Sequence, residues 1–440
     1  MQTSVGTRNR EAGGTPTRDG RRALLGAWAG FFVDMYDIYL PIIALAPANA
    51  YFEANDVSPA TSSLISASIF AATLLGRPIG ALLFGRLADT IGRRRTAIIA
   101  VSGFGTVTLA IAALPGYQTW GIAAVVLLIA LRFVDGVFLG GEYTSATVLA
   151  LESAPRHKRG LHGAFIMTGY PAAYCVIALI TLGLLQVLPA DGPGSPYVEW
   201  GWRIPFAIGG LISFAFVIWY ALAVKESQSW KNAGKTKTPL ADMFRGAGLR
   251  TFLQVFVLMT GIWFVQNAVS SILPEQLVDP IGLDSVEVKI VQILSYAVLI
   301  GGYLGAGLLS QRIGRRRFFL GASAMIVVAA TLVYGLLVSG AFTGVVAVTI
   351  AVIVLNLLTL SVWGVATTYL NERFHVGVRS TGYGIGYSFA VVIPAFYAFY
   401  QSGLATFMPA RYTPLVLVVL AGVLIGIGAR FSPETRDVQL

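Results

Sequence analysis

The sequence predicts an all-α integral membrane protein with twelve transmembrane helices in two pseudo-symmetric six-helix bundles. Three observations support this prediction. Hydrophobic residues make up 56% of the 440 residues and charged residues only 12%, whereas soluble domains carry roughly 25% charged residues. Twelve apolar runs reach the length of about 20 residues that crosses a bilayer. A part of the first half of the chain also recurs in the second half.

The apolar runs are separated by short polar stretches, except for a longer polar linker that contains Lys231, Lys235 and Lys237. The predicted units are the tail 1–22, the first bundle 23–224, the linker 225–250, the second bundle 251–430 and the tail 431–440. The predicted helices begin near Ala23, Ala60, Thr96, Ile122, Leu161, Arg203, Thr251, Val288, Phe318, Val345, Thr381 and Pro414.

The basic residues predict the orientation, because cytoplasmic loops are enriched in Lys and Arg. With the N-terminus inside, cytoplasmic segments hold 26 of the 31 Lys and Arg, and only Arg203, Lys289 and Arg411 lie near the outer side. Both termini are therefore expected in the cytoplasm. The membrane is expected to be the inner membrane of a bacterial cell. The net charge of +10 is spread over seven short segments, which argues against nucleic-acid binding. The first run, which contains Asp34 and Asp37, is too long for a signal peptide.

An internal repeat relates the two halves. Residues 80–95 and 302–317 are identical at nine of sixteen aligned positions. An acid and an arginine seven residues apart also recur, as Glu152 with Arg159 and as Glu372 with Arg379. Parallel halves of this kind form a cavity between them, and rocking of one half on the other exposes the cavity to each side in turn. The repeat therefore predicts a transporter.

The loop from Gly85 to Arg95, with the sequence GRLADTIGRRR, resembles the signature between the second and third helices of the major facilitator superfamily. Further motifs resemble its metabolite:proton symporter family, which is close to the sugar porters: Arg77-Pro78-Ile79-Gly80, Arg132 with Gly140-Gly141-Glu142, Gly201 to Phe206, and Pro433 to Arg436. The sequence departs from the pattern at Asp135, at Tyr143 to Ser145, and at Gln311, which replaces an acid in the second loop copy. The resemblance implies the major facilitator fold and a proton-coupled carrier.

Six ionisable side chains fall inside predicted helices of the first half. They are Asp34, Asp37, Arg77, Arg132, Asp135 and Glu142. Each costs about 2.5 to 3.5 kcal/mol at mid-membrane, so such groups face a cavity or a partner. Helix geometry places Asp37 and Arg132 at the same depth, with Asp135 and Glu142 on one stripe beside Arg132. Glu142 and Arg77 lie deeper toward the cytoplasm, where they could pair.

These charged residues are predicted to couple transport to protons. Movement of an arginine between carboxylates changes which of them holds a proton. The predicted coupling residues are Asp34, Asp37, Arg132, Asp135 and Glu142. The resemblance also implies that Asp37, in the pair Tyr36-Asp37, works with Arg132, and the spacing of Asp34 and Asp37 resembles that of the aromatic acid:proton symporters. The alternative is a set of permanent salt bridges that hold helices 1, 2 and 4 together.

The loop motif predicts a gate on the cytoplasmic side. Gly85 and Gly92 permit a tight turn and a close helix approach. Asp89 is expected to accept hydrogen bonds from a helix N-terminus of the facing half and to stabilise the outward-facing state. Gln311, in the other copy, should form a weaker latch. The remaining predicted gate residues are Arg93, Glu152, Arg159, Glu372 and Arg379.

Substrate contacts are predicted from polar and aromatic side chains in apolar helices, together with the two buried arginines. The candidates are Tyr36, Arg77, Arg132, Tyr170, Tyr174, Trp263, Gln266, Asn267, Asn356, Trp363, Tyr383 and Tyr387. Gln266 and Asn267 are the strongest, because an amide in hydrocarbon needs a partner. The second half supplies no charge and is expected to contribute shape and hydrogen bonds.

The leading hypothesis is proton symport that imports a small organic acid by rocker-switch alternating access, with Arg132 or Arg77 binding the carboxylate. The alternatives are a symporter of a sugar, polyol or other neutral solute, a proton-driven exporter, and a non-transporting receptor. An enzyme is not predicted, because Cys175 and three histidines provide no catalytic or metal-binding cluster. The expected partners are a small-molecule substrate, the proton and the lipid bilayer, with no cofactor or metal, and the chain is expected to act as a monomer.

Overall fold

Twelve helices in the computed structural model are long and apolar enough to cross a membrane. The structure describes residues 18–54, 57–152, 154–226, 244–279, 281–374 and 379–438, apart from the side chains of residues 18, 19, 59, 60, 89, 143–145 and 380. The helices are α1 Gly20–Phe52, α2 Thr61–Ala88, α3 Arg93–Ala112, α4 Ile122–Glu152, α5 Arg156–Val187, α6 Tyr197–Ala223, α7 Gly246–Val278, α8 Ser285–Ile313, α9 Arg315–Val338, α10 Val345–Arg373, α11 Thr381–Leu404 and α12 Ala410–Arg430.

Every helix begins within six residues of its predicted start, and no strand occurs in the described ranges. The largest differences are early starts, such as that of α7 at Gly246, inside the range predicted as the linker. Basic side chains such as Arg250 continue a helix beyond its apolar run, because their long stems reach the polar interface. The tail 1–17 and the linker residues 227–243 lie outside the described residues.

The two copies of the repeat adopt the same turn. Gly92 has φ 101° and ψ 155°, and Gly314 has φ 98° and ψ 154°. Residues with a Cβ atom rarely adopt this left-handed conformation, which explains the glycine in both copies. The turns end α2 and α8 and begin α3 and α9. We call this side of the membrane, where α1 begins and α12 ends, the termini side, and the opposite side the far side.

A glutamate closes each half on the termini side. Glu226, just after α6, accepts a 3.1 Å hydrogen bond from the backbone N–H of Arg93 at the start of α3. Glu434, just after α12, accepts a 2.8 Å bond from the backbone N–H of Arg315 at the start of α9. A negative charge at a helix N-terminus is stabilising, because the first backbone N–H groups have no partner within the helix. The last helix of each half is thus tied to the third.

Four glycines form a seam between α2 and α4. They are Gly76 and Gly80 on α2, and Gly136 and Gly140 on α4. A Cβ atom at Gly80 would lie 1.9 Å from the carbonyl oxygen of Val137, and one at Gly136 would lie equally close to a carbonyl of α2. Small residues four apart let membrane helices approach until their backbones touch. This glycine seam fixes the two helices that carry the buried arginines.

The equivalent helices α1 and α7 both lose regular α geometry near the far side. Residues Pro41–Leu45 of α1 and Ala268–Ile272 of α7 form π-helical turns. A π turn widens the helix and leaves backbone carbonyls free for other donors. The Tyr197 hydroxyl, for example, donates to the carbonyl of Ala44 over 2.7 Å. The equivalent helices of the two halves therefore offer backbone acceptors at the same depth.

Candidate functional site

Three charged side chains meet inside the first half. Arg132 Nη1 on α4 lies 3.1 Å from Asp37 Oδ2 on α1 and 3.1 Å from Asp135 Oδ2, one turn along α4. Arg132 Nη2 also donates to the Asp37 carbonyl over 3.0 Å, and the Thr108 hydroxyl on α3 donates to the Asp37 carboxylate. All four residues are at most 1% exposed. The contact predicted between Asp37 and Arg132 is present.

The two acids beside Arg132 are held differently. Asp37 accepts hydrogen bonds from Arg132 and Thr108. The Asp135 carboxylate lies within ion-pair distance of Arg132, but it accepts no well-oriented hydrogen bond from any residue that the structure describes. Asp135 therefore has an ion pair with Arg132, whereas Asp37 also accepts hydrogen bonds from Arg132 and Thr108. Because one arginine faces two carboxylates, one negative charge is not balanced, and a proton on either carboxylate would remove that imbalance.

A second charge pair lies next to the other half of the molecule. Arg77 Nη2 on α2 donates to both carboxylate oxygens of Asp34 on α1, over 2.9 and 2.6 Å. The guanidinium carbon of Arg77 lies 5.6 Å from the centre of the Tyr387 ring on α11. Arg77 thus reaches the boundary between the halves, whereas the contacts of Arg132 described above are all within the first half.

The expected pairing of Glu142 with Arg77 is wrong. Arg77 pairs with Asp34, while both carboxylate oxygens of Glu142 lack a hydrogen-bond partner in the described part of the chain. Glu142 packs against Gly30 of α1, at a place that Phe216 of α6 also approaches. The reason is helix register. Gly140 faces α2, and a residue two positions further along a helix lies about 200° around it, so Glu142 points away from α2.

A small cavity lies between the halves at the level of these charges, with a volume of about 10 Å³. That is close to the space of a single water molecule, so the cavity has little room for a substrate in this conformation. Five predicted binding residues line it, namely Tyr170, Trp263, Gln266, Trp363 and Tyr387. The other lining residues are Phe31, Met35, Tyr39 and Met167. We call this space the central cavity.

Hydrogen bonds across the central cavity connect the halves. Gln266 Nε2 on α7 donates to the hydroxyl of Tyr39 on α1 over 2.7 Å and to Ser270 Oγ over 2.9 Å. The hydroxyls of Tyr170 on α5 and Tyr296 on α8 lie 2.7 and 2.8 Å from Ser270 Oγ. Because α1 and α5 belong to one half and α7 and α8 to the other, the Gln266–Tyr39 and Tyr170–Ser270 bonds must break when the halves separate here.

The remaining candidates lie outside the lining of the central cavity. They are Tyr36, Arg77, Arg132, Tyr174, Asn267, Asn356 and Tyr383. Tyr36 points to α6, where its hydroxyl donates to the Pro205 carbonyl over 3.1 Å. The cavity-facing stripe of α1 is Phe31, Met35 and Tyr39, spaced four residues apart, and Tyr36 is about 100° away from it. Tyr36 is therefore misplaced as a binding residue in this structure.

Some binding candidates were missed by the sequence analysis. Tyr39, Ser270 and Tyr296 form the network just described, and none was predicted. Ser270 follows Gln266 by four residues, and Tyr39 follows Met35 by four. That spacing places side chains on one helix face and was the signal available in the sequence.

Ion pairs join the halves on the termini side. Glu152 at the end of α4 accepts from Arg93 Nη1 over 3.0 Å and from Arg379 Nη1, just before α11, over 3.1 Å. Arg93 belongs to the same half as Glu152, and Arg379 to the other half. Glu152 thus pairs with Arg379 of the other half and not with Arg159, its partner in the repeated sequence spacing, and we call the Glu152 and Arg379 pair the first latch.

The repeat copy forms the second latch. Glu372 at the end of α10 pairs with Arg315 Nε over 3.1 Å and lies 3.7 Å from Arg159 Nη1 of the other half. Gln311 Oε1 accepts from the backbone N–H of Gly160 near the start of α5, over 3.1 Å. Gln311 thus contacts a helix N-terminus of the facing half. The side chain of its counterpart, Asp89, lies outside the described residues.

Loss of both latches should open the termini side. In a Cys175→Ala background, Arg159→Ala with Arg379→Ala should shift the balance between closed and open states by roughly 30-fold, since the two ion pairs contribute about 1 kcal/mol each. Spin labels at Arg95 and Arg317, both exposed, would report the distance between α3 and α9. Arg436→Ala, which removes an exposed pair with Asp437, is the control. An unchanged distance distribution in the double variant would contradict the latch.

A larger cleft lies between the halves near the far side, with a volume of about 230 Å³. It is lined by α1 and α2 of the first half and by α7, α8 and α11 of the second. Lys289 of α8 is part of the lining, so the expectation that the second half supplies no charge is wrong. The latches join the halves on the termini side, whereas this far-side cleft lies between the halves at the opposite side.

Twelve helices in two repeated halves, with buried charges beside a cavity between them, define a secondary transporter. The sequence profile of the Major Facilitator Superfamily matches residues 27–274, and that of the family Sugar (and other) transporter matches residues 228–440. The chain belongs to the Major Facilitator Superfamily. It is a multi-pass membrane protein that transports metabolites.

Similar proteins cover nearly the whole chain. The inner membrane metabolite transport protein YhjE of Escherichia coli (strain K12) is 29% identical over 100% of both chains. From the same organism, the shikimate transporter is 29% identical over 92% of each chain, and the alpha-ketoglutarate permease is 30% identical over 89% of each. Among solved structures, the proton:xylose symporter XylE of E. coli has a TM-score of 0.77 at 18% identity, over 96% of this chain and 97% of XylE. The similarity to XylE supports the fold alone, because the sequence identity is low.

Proposed function

We propose that the protein imports a small organic acid together with protons across a bacterial inner membrane, by alternating exposure of the central cavity. The termini side is then cytoplasmic and the far side faces outward. The inner-membrane relative YhjE and the excess of basic residues on the termini side support this orientation.

The observation that carries the proposal is an imbalance of buried charge. Four carboxylates and two arginines of the first half are each at most 1% exposed: Asp34, Asp37, Asp135, Glu142, Arg77 and Arg132. If every group were ionised, the site would hold two uncompensated negative charges in a low-dielectric interior, at a cost of several kcal/mol per ion. Protons on two of the acids remove that cost. The site is therefore built to hold protons.

Coupling follows from the single arginine between Asp37 and Asp135. When both are ionised, Arg132 is shared, and when one takes up a proton, the arginine can pair fully with the other. A movement of α1 relative to α4 changes which carboxylate pairs with Arg132. Proton binding and conformation therefore depend on each other.

Arg77 supports an acid as the substrate. Its guanidinium is bound to Asp34 and lies beside Tyr387 of the second half, close to the central cavity. A carboxylate is the group that a guanidinium binds in two-point geometry. Shikimate and alpha-ketoglutarate, the compounds named for two of the relatives, are both carboxylates. The incoming acid could exchange with Asp34, which would then accept a proton.

A neutral sugar or polyol is the second candidate. Gln266 Oε1 and Trp363 Nε1 are buried without a hydrogen-bond partner among the described residues, and both residues line the central cavity. An unpaired amide oxygen and an indole N–H suit the hydroxyl groups of a neutral solute. In that case the arginines serve proton coupling alone.

The test is internal pH in proteoliposomes of the purified protein, followed with a trapped dye. External shikimate, alpha-ketoglutarate and xylose are added in turn, with protein-free liposomes as the control. Acidification with an acid and none with xylose is the expected result. Acidification with xylose alone would favour the second candidate. Labelled uptake without any pH change would exclude proton coupling.

A further inference from the structure

The far-side cleft contains a buried cation without an ion-pair partner. Lys289 lies one turn into α8 and is 7% exposed. Its Nζ donates to the Ile43 carbonyl in the π turn of α1, over 3.3 Å, and forms no salt bridge with any carboxylate in the described ranges. An ammonium group has three N–H donors, so two remain after the bond to Ile43.

The position of Lys289 is fixed by the start of its helix. Asp284 and Glu287 form a reciprocal capping box at the beginning of α8. The side chain of each accepts a hydrogen bond from the backbone N–H of the other. A capping box of this kind sets where the helix begins and so sets its register. Lys289 is thereby held toward the cleft with Val288 beside it, and its stem packs between the two halves.

An isolated buried cation favours an anionic ligand. Burial of an ammonium group without a counter-charge costs several kcal/mol, and a ligand carboxylate in the cleft would compensate that charge. Ser66 of α2 and Ser271 of α7 line the same cleft and offer hydroxyl donors. The volume of about 230 Å³ is below the range of about 300–1,000 Å³ of pockets for drug-sized ligands, which suits a small metabolite.

We infer that Lys289 forms an anion-binding site in the far-side cleft, which holds the carboxylate of the organic acid before it enters the central cavity. This inference rests on the proposed function and adds a second binding position outside the predicted set. Ser271 of the cleft is adjacent in sequence to Ser270 of the central network, so the two spaces are separated by one turn of α7.

The cleft also offers a matched control. Glu275 on α7 lines it as well and forms no salt bridge with Lys289. Removal of the positive charge should weaken the binding of an acid, whereas removal of the negative charge from the same cleft should not. Lys289→Gln retains an N–H donor for the Ile43 carbonyl, so it separates the loss of charge from the loss of that contact.

The experiment measures equilibrium binding of labelled shikimate and labelled alpha-ketoglutarate to the purified full-length protein. Lys289→Gln should raise the dissociation constant about ten-fold, since a hydrogen bond to a charged group contributes about 1.5 to 3 kcal/mol. Lys289→Arg and Glu275→Gln should stay within about three-fold of the wild type. Equal affinity in Lys289→Gln and wild type, or equal weakening by Glu275→Gln, would overturn the inference.

The same preparation distinguishes this inference from the proposed function. Wild-type protein that binds neither acid overturns the anion site. Wild-type protein that binds an acid but does not acidify proteoliposomes overturns proton symport, and the affinities of the Lys289 variants still decide the anion site.

Discussion

Asp37→Asn should abolish proton-driven accumulation while substrate exchange continues. With an imposed gradient of about 2 pH units, each coupled proton drives about 100-fold accumulation, because one unit is worth about 1.4 kcal/mol. The variant should reach only the external concentration. The fold should survive, because Arg132 keeps Asp135 as an ion-pair partner when the charge of Asp37 is removed. Uptake and counterflow of labelled shikimate or alpha-ketoglutarate in proteoliposomes give the two readouts.

Asp135→Asn is the matched variant, since it removes the other carboxylate beside the same arginine and leaves the bond between Asp37 and Arg132. A loss of accumulation in only one of the two variants identifies the acid that carries the coupled proton. Thr108→Val removes the hydroxyl donor to Asp37 without a change of charge. An equal loss of folded protein, exchange and accumulation in Asp37→Asn would instead show that these charges form a permanent salt bridge.

Gly80→Leu should prevent assembly of the first half. The added Cβ atom would lie 1.9 Å from the Val137 carbonyl oxygen, which belongs to the backbone of α4 and cannot rotate away. The two helices would have to separate along the whole glycine seam, which would displace Arg77 and Arg132 from their acids. We expect a loss of about 4 kcal/mol or more in stability, the range of severe core substitutions. Thermal unfolding of the detergent-solubilised protein, monitored by size-exclusion chromatography, measures it.

Gly305→Ala on α8 is the control for this substitution. A Cβ atom there would have no neighbour within 4 Å, so the change keeps the helix and removes a flexible residue. Its unfolding temperature should equal or exceed that of the wild type, because alanine favours the helix by up to about 1 kcal/mol over glycine. If Gly80→Leu unfolds at the wild-type temperature, the close packing of α2 on α4 is not required.

The number and order of the helices were predictable because hydrophobicity is a local property of the chain. A run of about 20 apolar residues has one low-energy conformation in a bilayer, with its backbone hydrogen bonds satisfied within the helix. The repeat was predictable for a similar reason, because the turn at Gly92 and Gly314 needs glycine in both copies. Helix ends were predicted less well, since arginine stems extend helices such as α7 past their apolar runs.

The partners of buried side chains were harder to predict, because they depend on which helix faces which. The depth of Asp37 and Arg132 follows from counting residues, and their contact is found in the structure. Glu142 has a suitable depth for Arg77, but the glycine seam turns it toward α6. Lys289 was expected near the outer side of the membrane, and its position near a helix end did not indicate that the π turn of α1 brings an acceptor to it.

The glutamates that close each half bear on how the protein could be made. Glu226 lies just before residues 227–243 and, like Glu434, binds the third helix of its own half. We therefore expect each bundle to close on itself when the covalent join between the halves is cut. A gene split within that stretch would encode two polypeptides, each able to finish its own half and to meet the other in the membrane through the latches and the tyrosine contacts.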